Sequence, residues 1–197
     1  MTAINDVTLD IAFRKARSFN RFFADKPVSD AQIHALYDLL KWGPTAVNGQ
    51  PGRYLFIRSP EAKARLVPTA MAGNQARIQA APLTVIVASD PLFYEHLPTQ
   101  APALASMRDF YAGDEKLARD TACYSSALQA GYLILAARLL GLDAGPMSGF
   151  DAAAVNAQFF ADNGWRAHLL VNIGYGDPEG NYPRNPRLEF DAVAKIL

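Results

Sequence analysis

Residues 122–150 read ACYSSALQAGYLILAARLLGLDAGPMSGF, a long apolar run that breaks into glycine, proline and short side chains. From Ala122 to Leu140 every residue except Ser125, Ser126, Gln129 and Arg138 is apolar or glycine. A helix built this way is apolar on nearly all faces and is expected to be buried, Cys123 with it as an inert core residue. At ~1.5 Å per residue it spans about 30 Å, the length of a domain's central pillar or of part of a subunit interface. The four polar interruptions argue against a membrane span. Gly141 suits a helix C-cap. Beyond it, Gly145, Pro146 and Gly149 around Met147 and Ser148 read as a loop, which either turns tightly or lets bare backbone approach something flat.

Working outward, Leu9, Ala12, Phe13 and Ala16 recur at helical spacing ahead of Arg17 and Ser18. Ser29 reads as the N-cap of a second helix that carries Ile33, Leu36, Tyr37 and Leu40 and stops at Gly43-Pro44. The turn-rich GPTAVNGQPG precedes a strand at Tyr54–Ile57. Residues 61–70 and 74–80 are helical in pattern, and Leu83–Ala88 is the continuous apolar run of a buried strand. Pro91–Pro102 reads as an irregular lid or substrate loop, 114–140 as the long helix, 151–160 as a helix, and Ala167–Ile173 as a further buried strand. A turn-rich tail closes the chain. Short strands separated by helical units imply one α+β or α/β domain over residues 1–197, a central sheet wrapped by helices.

Composition narrows the partners. Lys plus Arg and Asp plus Glu number 19 each, so the net charge is zero and no global field attracts nucleic acid. The first residues hold no apolar core of signal-peptide length, so a cytoplasmic protein is expected. A single cysteine excludes an internal disulfide and any multi-cysteine metal site. His34, His96 and His168 lie far apart without ligand-spaced partners, and no metal is expected. GPMSG has its serine one place too late for a nucleophile elbow, GYGDPEG lacks the helix a dinucleotide fingerprint needs, and no P-loop is present.

What remains is polar residues scattered through Gly/Pro-rich loops: Arg17 and Ser18, Thr45, Asn48 and Gln50, Asn74 and Arg77, Met147 to Gly149, and Arg184 and Arg187. Singly each has a bland role as cap, turn or solvated surface. Jointly they suit a flat polar ring with an anionic tail, such as flavin mononucleotide (FMN): guanidinium forks and a hydroxyl for phosphate, amide and arginine donors for the pyrimidine edge, and a backbone N–H for N5.

ARSFNRF, WGPTAVNGQP, GNQARIQAAP, LGLDAGPMSGFD and YPRNPRLEF, in this order, resemble the nitroreductase family of FMN-dependent oxidoreductases along nearly the whole chain. They are most similar to its HadB/RutE subgroup, which includes malonic semialdehyde reductases. The resemblance implies a mostly antiparallel sheet in a homodimer, FMN at the subunit interface, and ping-pong hydride transfer from NADH or NADPH to a small acceptor. It places Arg17, Ser18, Arg184 and Arg187 at the phosphate and ribityl chain, with Asn20 beside them where many members carry Arg or Lys. It sets Thr45, Asn48 and Gln50 along the ring or ribityl side and Asn74 and Arg77 at the pyrimidine edge. Pro146, Met147, Ser148 and Gly149 lie along the ring, a Ser148 or Gly149 N–H directed at N5, and no side chain is assigned as the catalytic acid. Gly52 replaces the family's tryptophan and is expected to open space near the flavin. An acceptor such as 3-oxopropanoate (malonic semialdehyde) would need a cation for its carboxylate, with Arg53 or Arg108 as candidates; a nitroaromatic or quinone would not. Binding of flavin without turnover and a cofactor-free hydrolase are the competing readings.

Overall fold

Four strands form one antiparallel sheet in the order β1-β2-β4-β3: β1 (Gly52–Ile57), β2 (Leu83–Ser89), β3 (Asp143–Met147) and β4 (Arg166–Gly174). The computed structural model describes residues 4–197. Among them the helices are α1 (Asp6–Leu9), continued by a π-type turn at Asp10–Arg14, then α2 (Asp30–Leu40), α3 (Pro60–Leu66) and α4 (Ala72–Ala80). They continue with α5 (Leu97–Gln100), α6 (Met107–Ala112), α7 (Glu115–Leu139), α8 (Ala152–Phe159) and α9 (Phe190–Val193).

Strand alternation builds the core on both faces of the sheet. Leu83, Val85 and Val87 of β2 point to one face, where they meet Leu36 and Leu40 of α2 and Leu133, Ala136 and Ala137 of α7. Ile86 and Ala88 point to the other, against Leu66, Ile78, Val155 and Phe160. Each fully buried Val or Ile on this strand contributes roughly 1.5–3 kcal/mol of transfer free energy. Helices therefore cover both faces, as the continuous apolar run at 83–88 required. The Ser29 cap holds as a full capping box with Gln32, and Gly141 takes the left-handed φ of +76° that ends α7.

Three expectations need correction. Residues 143–147 are strand and not loop: Pro146 lacks an N–H, but β3 is the sheet's edge and its missing donor breaks no inner ladder. Helix α7 is buried on one side only. Leu117, Tyr124, Leu128, Tyr132 and Leu139 stay exposed on the other, since a helix laid on a sheet offers it one face. Cys123 is exposed too, so it is not a core residue.

Candidate functional site

The four polar interruptions of α7 each hold another segment in place. Ser125 Oγ accepts the Ala46 N–H at 3.2 Å and Gln129 Oε1 accepts the Gly52 N–H at 2.9 Å, which fixes the 45–52 loop. Ser126 Oγ lies 3.0 Å from the Ala88 carbonyl, to which it donates, and 2.8 Å from His168 Nε2. His168 is thus an interior histidine whose pKa burial lowers. Arg138 donates from Nη1 to the Ala12 carbonyl at 2.9 Å, just ahead of Arg17 and Ser18.

Between the 13–20 segment, the end of α7 and the tail the chain assembles a cleft of about 640 Å³. Arg14, Arg17, Ser18, Asn20, Arg138, Arg184 and Arg187 line it, and no carboxylate does. Ser18 bridges Ala144 as an extra rung beside β3, and Gly145 has no side chain because a Cβ would sit 2.3 Å from the Phe19 carbonyl. The tail is stitched to this segment reciprocally: Arg184 donates to the Ala16 carbonyl at 2.6 Å and Arg17 to that of Tyr182. Asn20 reaches the Gly180 carbonyl, and Arg187 folds onto its own backbone at Asn185 and Pro186. Arg14 is neutralised by Asp6 and Asp10, whereas Arg17, Arg138, Arg184 and Arg187 have no carboxylate within 4.0 Å among the described residues. Several uncompensated guanidiniums and a hydroxyl in one cleft suit a phosphate dianion.

β3 then leads to a second cluster. Just past its end, the Gly149 carbonyl accepts from the Met71 N–H and from Asn74 Nδ2, both at 3.0 Å. Arg77 Nη1 donates to Asn74 Oδ1 at 3.2 Å, and its Nε is buried without a partner. A Cβ on Gly149 would lie 2.6 Å from Asn74 Nδ2, so a side chain there would displace that amide. Sequence reasoning missed Asn172, the lone polar residue of LLVNIG. Fully buried, it accepts from Thr84 Oγ1 at 2.7 Å and donates to the Arg77 carbonyl at 3.1 Å, which ties α4 to the sheet. Ser148 is exposed and Pro146 half-buried. Met147 corrects the expectation that it lies along the ring: strand alternation turns its side chain into the core, 6% exposed.

Thr45, Asn48 and Gln50 are not brought to this cleft. Their loop packs at the middle of α7, and Ser125 is about 20 Å along the helix from Arg138 at ~1.5 Å per residue. The loop is strained, with Val47, Asn48 and Gln50 all at positive φ (48°, 54° and 47°), held by Gln50 N–H to Thr45 Oγ1 and by Asn48 Nδ2 to the Gln100 carbonyl. Such strain persists where surrounding contacts over-determine it and concentrates at functional sites. Gly52 lines a small pocket of about 200 Å³ with Tyr37, Gln50, Tyr54, His96 and Gln100, but offers no room at its own Cβ position. A Cβ there would fall 2.4 Å from the Tyr54 hydroxyl and 2.7 Å from Gln129 Oε1. Among the described residues no group of three His, Cys, Asp or Glu is placed to hold a metal, and no helix is long and apolar enough to cross a membrane.

The family model described as the nitroreductase family matches residues 14–175. A Burkholderia lata protein provisionally named NADH dehydrogenase/NAD(P)H nitroreductase is 54% identical over 196 residues, covering 100% of both chains. A Rhodopseudomonas palustris protein of the same provisional name is 53% identical, covering 100% of this chain and 99% of its own. In three dimensions a provisional nitroreductase from Exiguobacterium sibiricum, described in complex with FMN, superposes with a TM-score of 0.86 at 23% identity, covering 100% of this chain and 99% of that one. The fold is thus the nitroreductase-like α+β fold, and the chain belongs to the nitroreductase family.

Proposed function

We propose that the protein is an FMN-dependent NAD(P)H oxidoreductase that works as a cytoplasmic homodimer. The observation that carries this reading is the carboxylate-free arginine cleft between the segment that carries the Ser18 rung beside β3 and the tail. Its chemistry matches a phosphate-bearing ring: Arg17, Ser18, Asn20, Arg184 and Arg187 hold the phosphate and ribityl end, and Asn74 and Arg77 hold the pyrimidine edge. The corner at Gly149 leaves backbone, with Ser148 and Pro146, to lie against the ring. When bound, FMN supplies a two-electron carrier that accepts hydride from NADH or NADPH and returns it to an acceptor. The chain's own part is to position and polarise: Arg77 stabilises negative charge on the ring edge, and the loops exclude water.

Two observations favour the dimer. Leu117, Tyr124, Leu128, Tyr132 and Leu139 form an exposed apolar stripe along α7. The strained Thr45–Gln50 loop, distant from its own chain's cleft, is available to cover the ring held by a partner.

For the acceptor, the structure weighs against a carboxylate. Arg53 is paired with Asp90 at 2.7 Å and stacked over Trp165, and Arg108 is held between Glu95 and Asp109, both at 2.9 Å. With both candidate cations neutralised, an uncharged quinone or nitroarene suits the site better than 3-oxopropanoate. The test is anaerobic addition of NADH and then NADPH to the flavin-loaded protein, followed by an acceptor panel. Bleaching of the flavin absorbance that recovers with a quinone or nitroarene is expected. Recovery with 3-oxopropanoate alone reverses the acceptor assignment, an unchanged spectrum makes the protein a flavin binder, and failure to take up flavin removes the reading.

A further inference from the structure

Arg138 is the one charged residue between Ala122 and Leu140. It sits in the last turn of α7, where the helix dipole favours a cation, but half-buried within the apolar 122–140 stretch its charge is desolvated. Its Nη1 is taken by the Ala12 carbonyl at 2.9 Å, its Nε is buried without a partner, and no carboxylate lies within 4.0 Å among the described residues. The residue lines the arginine cleft and also the adjoining cleft beside Asp143, as Ala16 and Arg17 do, so it stands between the two. Arg184 and Arg187 are exposed, and solvent screens them; Arg138 is half-buried and acts through a lower dielectric. Burial lowers its pKa, an effect the more distant Asp143 offsets only in part.

Building on the cofactor reading above, we infer that Arg138 is a fixed cation at the base of the cleft, which holds the FMN phosphate from below and, through Ala12, aligns the segment delivering Arg17 and Ser18. The apoprotein carries its desolvated charge unpaired, and the incoming dianion neutralises it.

The experiment titrates apoprotein with FMN and with riboflavin, which lacks the phosphate, by quenching of flavin fluorescence, and records the apoprotein's melting temperature. Arg138→Met is expected to weaken FMN about tenfold or more while riboflavin changes less than about twofold. Its melting temperature registers two opposed changes, the departure of an unpaired charge and the loss of the donor to the Ala12 carbonyl, so the inference is read from the FMN-to-riboflavin ratio. An equal loss for both ligands, or no loss for either, overturns the inference. Arg138→Gln, which keeps a donor for the Ala12 carbonyl without the charge, serves if Arg138→Met does not fold; an unaltered FMN preference there overturns it equally. Arg17→Ala run alongside separates the two levels. If it also keeps the full preference for FMN over riboflavin, the phosphate cleft itself is misassigned. If it loses that preference and the Arg138 variants keep it, only Arg138 is.

Discussion

Tyr54 and Gly52 show how one small residue sets its surroundings. The Tyr54 hydroxyl is buried without a partner, and burial raises its pKa. Replacing it with phenylalanine removes an unsatisfied group and should raise stability by about 1 kcal/mol. Gly52→Ala forces a methyl into the Tyr54 hydroxyl and the buried Gln129 amide and should cost about 1–3 kcal/mol. Because both act on one contact, the double variant should recover part of the alanine penalty, read as urea midpoints; simple additivity would count against the contact. His168 gives a pH signature. Burial lowers its pKa below 6.5, so above that value it is neutral whether the chain is folded or unfolded. As pH falls below 6.5, the unfolded chain takes up a proton that the folded one resists, and stability declines toward the folded pKa. As pH falls below 6.5 the wild type should lose melting temperature faster than His168→Gln, which can still donate to Ser126; parallel curves would exclude His168 as the source. At this level the sequence was readable where chemistry is unusual for its setting. Arginines beside a serine, and an asparagine ahead of an arginine, announced the cleft and the Gly149 corner. Met147 misled because its orientation depends on whether 143–147 is loop or strand, which a Gly-Pro pair disguises.

Helices and buried strands were legible from periodicity because their apolar patterns follow burial directly. α2, α7 and β2 stand where the spacing put them, to within a residue or two. β3 was not legible. Its glycine and proline read as turn chemistry, and only the pairing with β4 and the rung from Ser18 make it a strand. The same tertiary dependence explains α7, whose composition predicted burial all round. The unburied stripe has a spacing that keeps Tyr124, Leu128, Tyr132 and Leu139 on one side, the pattern of a surface that favours a partner. Leu128→Glu puts a charge at its centre without touching the buried face. If the proposed dimer uses this stripe, sedimentation should show dimer for the wild type and monomer for the variant, with the far-ultraviolet circular dichroism of the fold retained. A variant that stays dimeric would move the interface elsewhere.

Taken whole, the molecule distributes one proposed site over distant parts of its own chain. The Ser18 segment of the arginine cleft pairs with β3 and the Gly149 corner follows it, while the strained loop lies beside β1, at the opposite edge of the sheet. Three strand spacings of ~4.8 Å put these edges about 14 Å apart, and the proposed dimer offers a partner's loop as the cover for each cleft. If each cleft is completed by the partner's loop, crippled chains should complement each other. Consider one chain carrying Arg17→Ala with Arg184→Ala and another carrying Asn48→Ala with Gln50→Ala. Each forms homodimers in which every site is damaged. In the mixed dimer one site combines both lesions, but the other pairs an intact cleft with an intact loop. Random pairing during co-expression makes about half the dimers mixed, so about a quarter of the wild-type number of sites should bind flavin and bleach with NAD(P)H. Flavin per chain in the purified mixture measures this directly. A mixture that binds no more flavin than its parents would mean that cleft and loop of the same chain act together, and the two-chain site would be abandoned.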